Sequence, residues 1–230
     1  MLFREEDEDE EMLPFQDRAD AGRILASKLS AYSGRQDVVV VGLARGGVSV
    51  AFEVARSLHA PLDVFVVRKL GTPWNRELAM GAIATGGVRV LDLSMVKDLR
   101  LSDEDIRRVA DTELQELRRR EQIYGNHHPP VPMAGKTVIL VDDGIATGSS
   151  ILAAIAALRR QQAARVLVAT PVIAVSSYNA ARMEADEVVC VTEPGLFTAI
   201  SRWYDDFSEV TDEDVRRLLQ QANRLVPVAA

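Results

Sequence analysis

The sequence predicts an α/β protein built on a doubly wound, mainly parallel sheet. Short apolar runs, Val38–Val41, Val138–Val141 and Val188–Val191, have the unbroken hydrophobicity of strands covered on both faces. Helical patterns alternate with these runs at the spacing of strand–helix–strand units. Two of the runs pass directly into glycine-bearing turns that open helices, at residues 42–47 and 142–150. At 230 residues, one such domain is expected, and 47% apolar composition is ample for its core. Residues 1–13 read as a disordered acidic tail and residues 14–230 as one domain, with 193–230 a distinct helical segment at its end.

Taken in order, Glu5–Glu11 is a run of seven acids, expected to be solvated and mobile. It accounts for the whole formal charge of −7, because removing it leaves acids and bases equal at 27 each. The balanced remainder gives no electrostatic support for nucleic-acid binding. A helix follows to about Tyr32, with Ala21, Ile24, Leu25 and Leu29 on one face and Asp17 or Asp20 as its cap. After the strand Val38–Val41 and its turn, a helix spans Val48–Leu58. A third strand covers Leu62–Val67 and places Arg68 and Lys69 at its end. Gly81–Thr85 pairs with Val88–Leu91 across Gly86-Gly87. Acids at Asp103–Asp105 open a helix to about Gln122 that buries Ile106, Val109, Ala110, Leu114 and Leu117. A proline-rich loop holding His127 and His128 leads to Val138–Val141. Beyond it come the helix Ile151–Arg160, the strand Arg165–Thr170 closed by Pro171, the helix Ser176–Met183 and the strand Glu187–Val191. Thr211-Asp212 caps a last helix to about Arg224. The single cysteine, Cys190, lies in an apolar run and reads as a core thiol; one cysteine excludes an internal disulfide and fits a reducing, cytoplasmic setting. The acidic start does not look like a secretory signal, and no run reaches the length needed to span a bilayer.

The stretch Thr137–Ser150, TVILVDDGIATGSS, carries the chemistry. Asp142 and Asp143 stand at the C-terminal end of a buried strand, where ligands of open α/β sheets bind. Adjacent buried carboxylates cost desolvation and repel each other, so they need a partner. Gly144, Ile145, Ala146, Thr147, Gly148, Ser149 and Ser150 form a small-residue turn that runs into a helix start. Backbone N–H groups approach an anion closely there, and the helix dipole adds positive potential. A phosphate suits the turn and hydroxyls suit the acids. A ribose phosphate satisfies both. Gly46 and Gly47 beside Arg45 suit a second anion, through close backbone approach and a guanidinium fork. Arg68 and Lys69 suit a polyphosphate.

The strand, the two acids, the three variable residues and the Thr-Gly closely resemble the phosphoribosyl-pyrophosphate motif of the type I phosphoribosyltransferases. Arg45-Gly46-Gly47 matches the family's pyrophosphate loop, and Arg68–Gly71 with Trp74–Ala84 resembles one uncharacterised bacterial branch. The resemblance implies transfer of a 5-phosphoribosyl group from phosphoribosyl pyrophosphate to a nitrogenous acceptor. It implies that Asp142 and Asp143 hold the ribose hydroxyls and, through water and substrate, Mg2+. It gives the 5′-phosphate to residues 146–150 and the pyrophosphate to Arg45, Gly46, Gly47 and Lys69. A homodimer is the family's usual habit, and a variable hood at the C-terminal segment receives the acceptor. Either that hood stacks Trp203 and Tyr204 on a nucleobase, or these aromatics simply pack a terminal helix. The lid is equally open between residues 68–80 and 120–134. Members that salvage 6-oxopurines place an acid immediately before the Thr-Gly; Ala146 stands there, which leaves the acceptor unidentified. A non-catalytic sensor of phosphoribosyl pyrophosphate is the alternative function. A hydrolase of another phosphorylated ribose has no nucleophile elbow or Ser-His-Asp order to support it.

Overall fold

Asp17 starts the first helix. Its carboxylate accepts the Asp20 amide and caps α1 (Arg18–Lys28), which ends in a single 3-10 turn, Ser30–Tyr32. Ala21, Leu25 and Leu29 are buried as the pattern predicts, but Ile24 is turned outward at 39% exposure. The computed structural model describes residues 14–125 and 131–226. The acidic run, expected as a mobile tail, and the His127-His128 pair, expected in a loop, lie outside the described residues.

The chain continues through β1 (Val38–Leu43), α2 (Gly46–Leu58), β2 (Leu62–Phe65), β3 (Val67–Thr72), β4 (Asn75–Ala84) and β5 (Val88–Leu91). Next come α3 (Leu93–Asp98), α4 (Asp103–Gly125), β6 (Thr137–Val141), α5 (Ser149–Arg160) and β7 (Arg165–Val172). Then follow α6 (Val175–Glu184), β8 (Glu187–Thr192), a 3-10 turn at Ile200–Trp203, and α7 (Asp212–Leu225). Five strands make one parallel sheet in the order β2-β1-β6-β7-β8. The other three make an antiparallel sheet, β3-β4-β5.

Alternate residues of the central strands serve opposite cores, which is why their sequences are apolar without a break. Val38, Val40, Ile139 and Val141 pack with α1, α2, α4 and α7. Val39, Val41, Val138 and Leu140 pack with α5 and the small sheet. The chain steps from β1 outward to β2 and later returns to place β6 on the other side of β1. Adjacent strands β1 and β6 therefore flank the point where the winding reverses, the place where open α/β sheets leave a crevice for ligand. Gly42 is in register with Val141, so the loops leaving β1 and β6 emerge side by side.

Some elements differ from expectation. The third strand does not run through to Val67: β2 stops at Phe65, and Arg68 and Lys69 lie within β3 of the second sheet. The Gly81–Ala84 hairpin partner of Val88–Leu91 has the expected register, but its strand extends back to Asn75. Pro171 lies inside β7 instead of closing it. It sits past Ala169, the last residue paired with β6, so its missing N–H costs no bond on that side. Val109 and Leu114 of α4 are partly buried where full burial was expected. Cys190 is likewise only half-buried, with burial raising its thiol pKa, consistent with an inert group. The C-terminal helix α7 is a core element: Val215, Leu219 and Ala222 join the same cluster as α2.

Candidate active site

Two helix starts converge on the acid pair. α2 begins at Gly46 and α5 at Ser149, and no side chain caps either of them. Their leading amides are thus available to anions at the crevice. Gly148, at φ 73°, supplies the left-handed turn that starts α5, a conformation side-chain-bearing residues avoid. The Ala44–Arg45 peptide before α2 is cis.

The two glycines of this loop are required by proximity. A Cβ on Gly46 would lie 1.9 Å from Asp143 Oδ2, and one on Gly47 would lie 2.7 Å from the Val141 carbonyl and 3.0 Å from Asp142 Oδ1. The start of α2 is therefore pressed against both carboxylates. Asp142 accepts the Asp143 amide at 2.9 Å. Burial, followed by the Asp143 charge, raises the Asp142 pKa well above the usual carboxylate value, against that hydrogen bond and the more distant Arg18.

Asp143 has a counter-ion the sequence did not reveal. Arg18, at the start of α1, places Nε 2.7 Å from its Oδ2, with both side chains only 12% exposed. Arg18 Nη1 also donates to the Ser208 carbonyl at 2.8 Å, and its guanidinium lies 3.8 Å from the Phe207 ring centre. Tyr204, one of two aromatics left open between facing a ligand and packing, is buried. Its ring packs between Phe15 and Phe207 and its hydroxyl donates to the Asp143 carbonyl at 2.5 Å. Burial and the Asp143 charge push the phenol pKa up, so it stays a neutral donor. It cannot stack on a base because its faces are already occupied. Trp203 is half-buried against the same aromatic group, and its carbonyl accepts the Phe15 amide at 2.9 Å.

The turn after the acids is pinned from behind. Ile145 donates its amide to the Val172 carbonyl and accepts from Ala174, each at 2.9 Å. The buried Ser177 hydroxyl donates to the Ala146 carbonyl at 2.6 Å. Ile200 packs so closely over Gly144 that a Cβ there would meet it at 2.5 Å. These restraints leave Ala146 and Thr147 exposed and Ser149 and Ser150 half-buried. A cavity of about 190 Å3 results, lined by Lys69, Asp142 to Gly148, Ser150, Ile151 and Ile200.

The structure thus brings together Asp142, Asp143, the 144–150 turn, Gly46, Gly47 and Lys69. Arg45 stands at the edge, with Nη2 2.5 Å from Glu209 Oε1; Glu209 is 74% exposed. Arg68 is directed elsewhere, to Glu113 of α4 at 2.7 Å. A larger cavity, about 440 Å3, lies behind Arg18 between α1, α2 and α7. Its carboxylates, Asp17, Glu53, Asp206, Glu209 and Asp214, suit a phosphate poorly. Among the described residues no group of three or more His, Cys, Asp or Glu side chains is placed to hold a metal.

Comparison with known proteins agrees with this geometry. The model of the phosphoribosyl transferase domain matches residues 10–201. Two Mycobacterium tuberculosis proteins, from strains CDC 1551 and H37Rv and provisionally named phosphoribosyl transferases, are each 45% identical over 210 residues, 91% of this chain. Those residues are 47% of each relative, so the chain spans about half the length of the curated proteins it matches. The crystal structure of TT1426 from Thermus thermophilus superposes with a TM-score of 0.80 at 41% identity, covering 91% of this chain and 99% of that one.

Proposed function

Because the chain belongs to the type I phosphoribosyltransferase family, we propose that it transfers the 5-phosphoribosyl group from phosphoribosyl pyrophosphate to a nitrogenous acceptor, releasing pyrophosphate. The observation that carries this reading is the convergence of two uncapped helix starts on one acid pair at the reversal point of the sheet. A ligand with a phosphate at each end and hydroxyls between them fits that arrangement.

The 5′-phosphate is bound by the α5 start, with the hydroxyls of Thr147, Ser149 and Ser150 beside the amides. The ribose 2′- and 3′-hydroxyls are held by Asp142 and Asp143. The pyrophosphate lies at the α2 start, where only glycines leave room, with Lys69 and Arg45 supplying charge. The Arg45–Glu209 pair is solvent-exposed and worth little on its own, so an incoming diphosphate displaces Glu209 readily. Breaking the anomeric C–O bond leaves positive charge on the ribose and negative charge on the departing pyrophosphate. The acid pair lies on the ribose side of that separation and the cations on the pyrophosphate side. No covalent step by a side chain is needed; catalysis is positioning and electrostatic stabilisation.

Magnesium fits as a partner of the substrate. On this reading the acid pair would anchor it, and a diphosphate with water would supply the other oxygens such an ion prefers. When bound, it would neutralise the leaving diphosphate. Since Asp143 is engaged by Arg18, Asp142 is the freer of the two carboxylates.

Pyrophosphate release from phosphoribosyl pyrophosphate, measured against a panel of bases and amines, tests the assignment. Acceptor-dependent release that disappears in Asp142→Asn supports it. Saturable binding with no release across the panel favours the non-catalytic sensor.

A further inference from the structure

A second cavity shares a wall with the ribose-phosphate pocket. It measures about 330 Å3 and lies between the β3–β4 hairpin and α4. Lys69 lines both cavities, so a ligand in the second one sits a single side chain away from the first. Gly71 lets the two strands of the hairpin that walls the cleft close on each other. A Cβ there would meet the Arg76 backbone at 2.5–2.8 Å, at a point where the β3–β4 register shifts. The resulting bulge brings Arg76 to the cleft opposite Arg108 and Thr112 of α4.

Its charge is cationic. The side chains of Lys69 and Arg76 have no ion-pair or hydrogen-bond partner among the described residues, and Arg108 has only an exposed pair with Asp105 one turn away on α4. The single carboxylate of the lining, Glu113, is neutralised by Arg68 at 2.7 Å. On the hairpin turn, in the chain between the lining residues Pro73 and Arg76, Trp74 is 63% exposed, a large apolar surface left uncovered at the rim of the cationic cleft's hairpin. Cations next to an exposed indole suit an anion carried on a planar ring.

We propose that this cleft binds the anionic group, a carboxylate or a phosphate, of a ring-bearing nitrogenous acceptor. The acceptor assignment rests on the phosphoribosyl-transfer reading, whereas the anion site does not.

Inorganic phosphate separates the two. It is titrated into the full chain as wild type, Arg76→Gln/Arg108→Gln, and Thr147→Val/Ser150→Ala. Wild type is expected to show two phosphate sites. The arginine substitutions weaken one by about tenfold or more, the loss expected when a charge-assisted hydrogen bond is removed. They leave phosphoribosyl pyrophosphate affinity within about twofold. The Thr147/Ser150 substitutions weaken the other site and the phosphoribosyl pyrophosphate affinity with it. Phosphate binding unchanged by the arginine substitutions overturns the anion site. An equal loss of phosphoribosyl pyrophosphate affinity also overturns it, because the cleft is then the far end of the substrate pocket. Unchanged behaviour of the Thr147/Ser150 variant instead counts against the transferase reading and leaves the cleft standing. Turnover of carboxylate-bearing ring acceptors, with a raised acceptor KM in the arginine variant, supports the acceptor assignment. Turnover confined to neutral bases, or no turnover of any anionic acceptor, overturns that assignment.

Discussion

Arg18 is fixed on three sides, by Asp143, by the Ser208 carbonyl and by the Phe207 ring. It pairs with the second acid and holds it in place where a lone carboxylate would be costly. Arg18→Met strands that carboxylate and is expected to destabilise the fold by about 3 kcal/mol, the lower range for breaking a buried pair. Adding Asp143→Asn should restore part of that stability and none of the phosphoribosyl pyrophosphate affinity. Denaturant unfolding and ligand titration on the two single variants and the double measure both. Glu209→Gln acts in the opposite sense. It frees Arg45 from an exposed pair and is expected to tighten phosphoribosyl pyrophosphate binding by up to about fivefold, the range such pairs span. Asp142, Asp143 and the following turn were legible in the sequence because they are contiguous and chemically unusual for a strand end. Arg18 was not, because it is 125 residues from the carboxylate it serves. Which of the two readings of Tyr204 holds was not legible for a related reason: its aromatic character was visible, but the Phe15 and Phe207 rings that enclose it come from segments nearly 200 residues apart.

Among the elements, α7 shows how a local signal and a tertiary role coincide. Thr211 and Asp214 form a reciprocal capping box, and three acids occupy the first turn. Thr211→Ala should cost about 1 kcal/mol. Hydrogen bonds from Thr211, with Arg217 adding to them, hold the Asp214 pKa down to about 2 from 3.8. A carboxylate depressed on folding stabilises the protein above its unfolded pKa, and that contribution is lost as pH falls through its folded value. The melting temperatures of wild type and Asp214→Asn should therefore differ at neutral pH and converge as pH falls from 3.8 towards about 2. The cap was readable from Thr211-Asp212, while the burial of α7 against α2 was not, because a terminal amphipathic helix packs equally well on several surfaces. β3 was missed as a separate strand for a similar reason. Residues 64–70 include no glycine, proline or other turn signal, so nothing local marks where the chain leaves one sheet for the other at Val66.

Across the whole molecule, the winding of the sheet decides which turns meet. The β1 and β6 loops are about a hundred residues apart in the chain, yet strand order makes them neighbours. Two glycine turns after apolar strands were enough to expect this, since a right-handed α/β sheet offers few other places for them. The pairing of the segment before α1 with the segment before α7 was not foreseeable. Residues 15 and 16 pair with residues 203–206, and this seam holds Arg18 and Tyr204 against Asp143. No helix among the described residues is long and apolar enough to cross a membrane. The central claim is that one crevice binds the two phosphate ends and the ribose of a single ligand. Titration calorimetry with phosphoribosyl pyrophosphate and magnesium tests it most directly, on wild type and on Asp142→Asn/Thr147→Val. Saturable binding by wild type, lost or weakened at least about a hundredfold in the variant, is expected from the loss of one charged and one neutral contact. No binding by wild type, or equal binding by both, would contradict it.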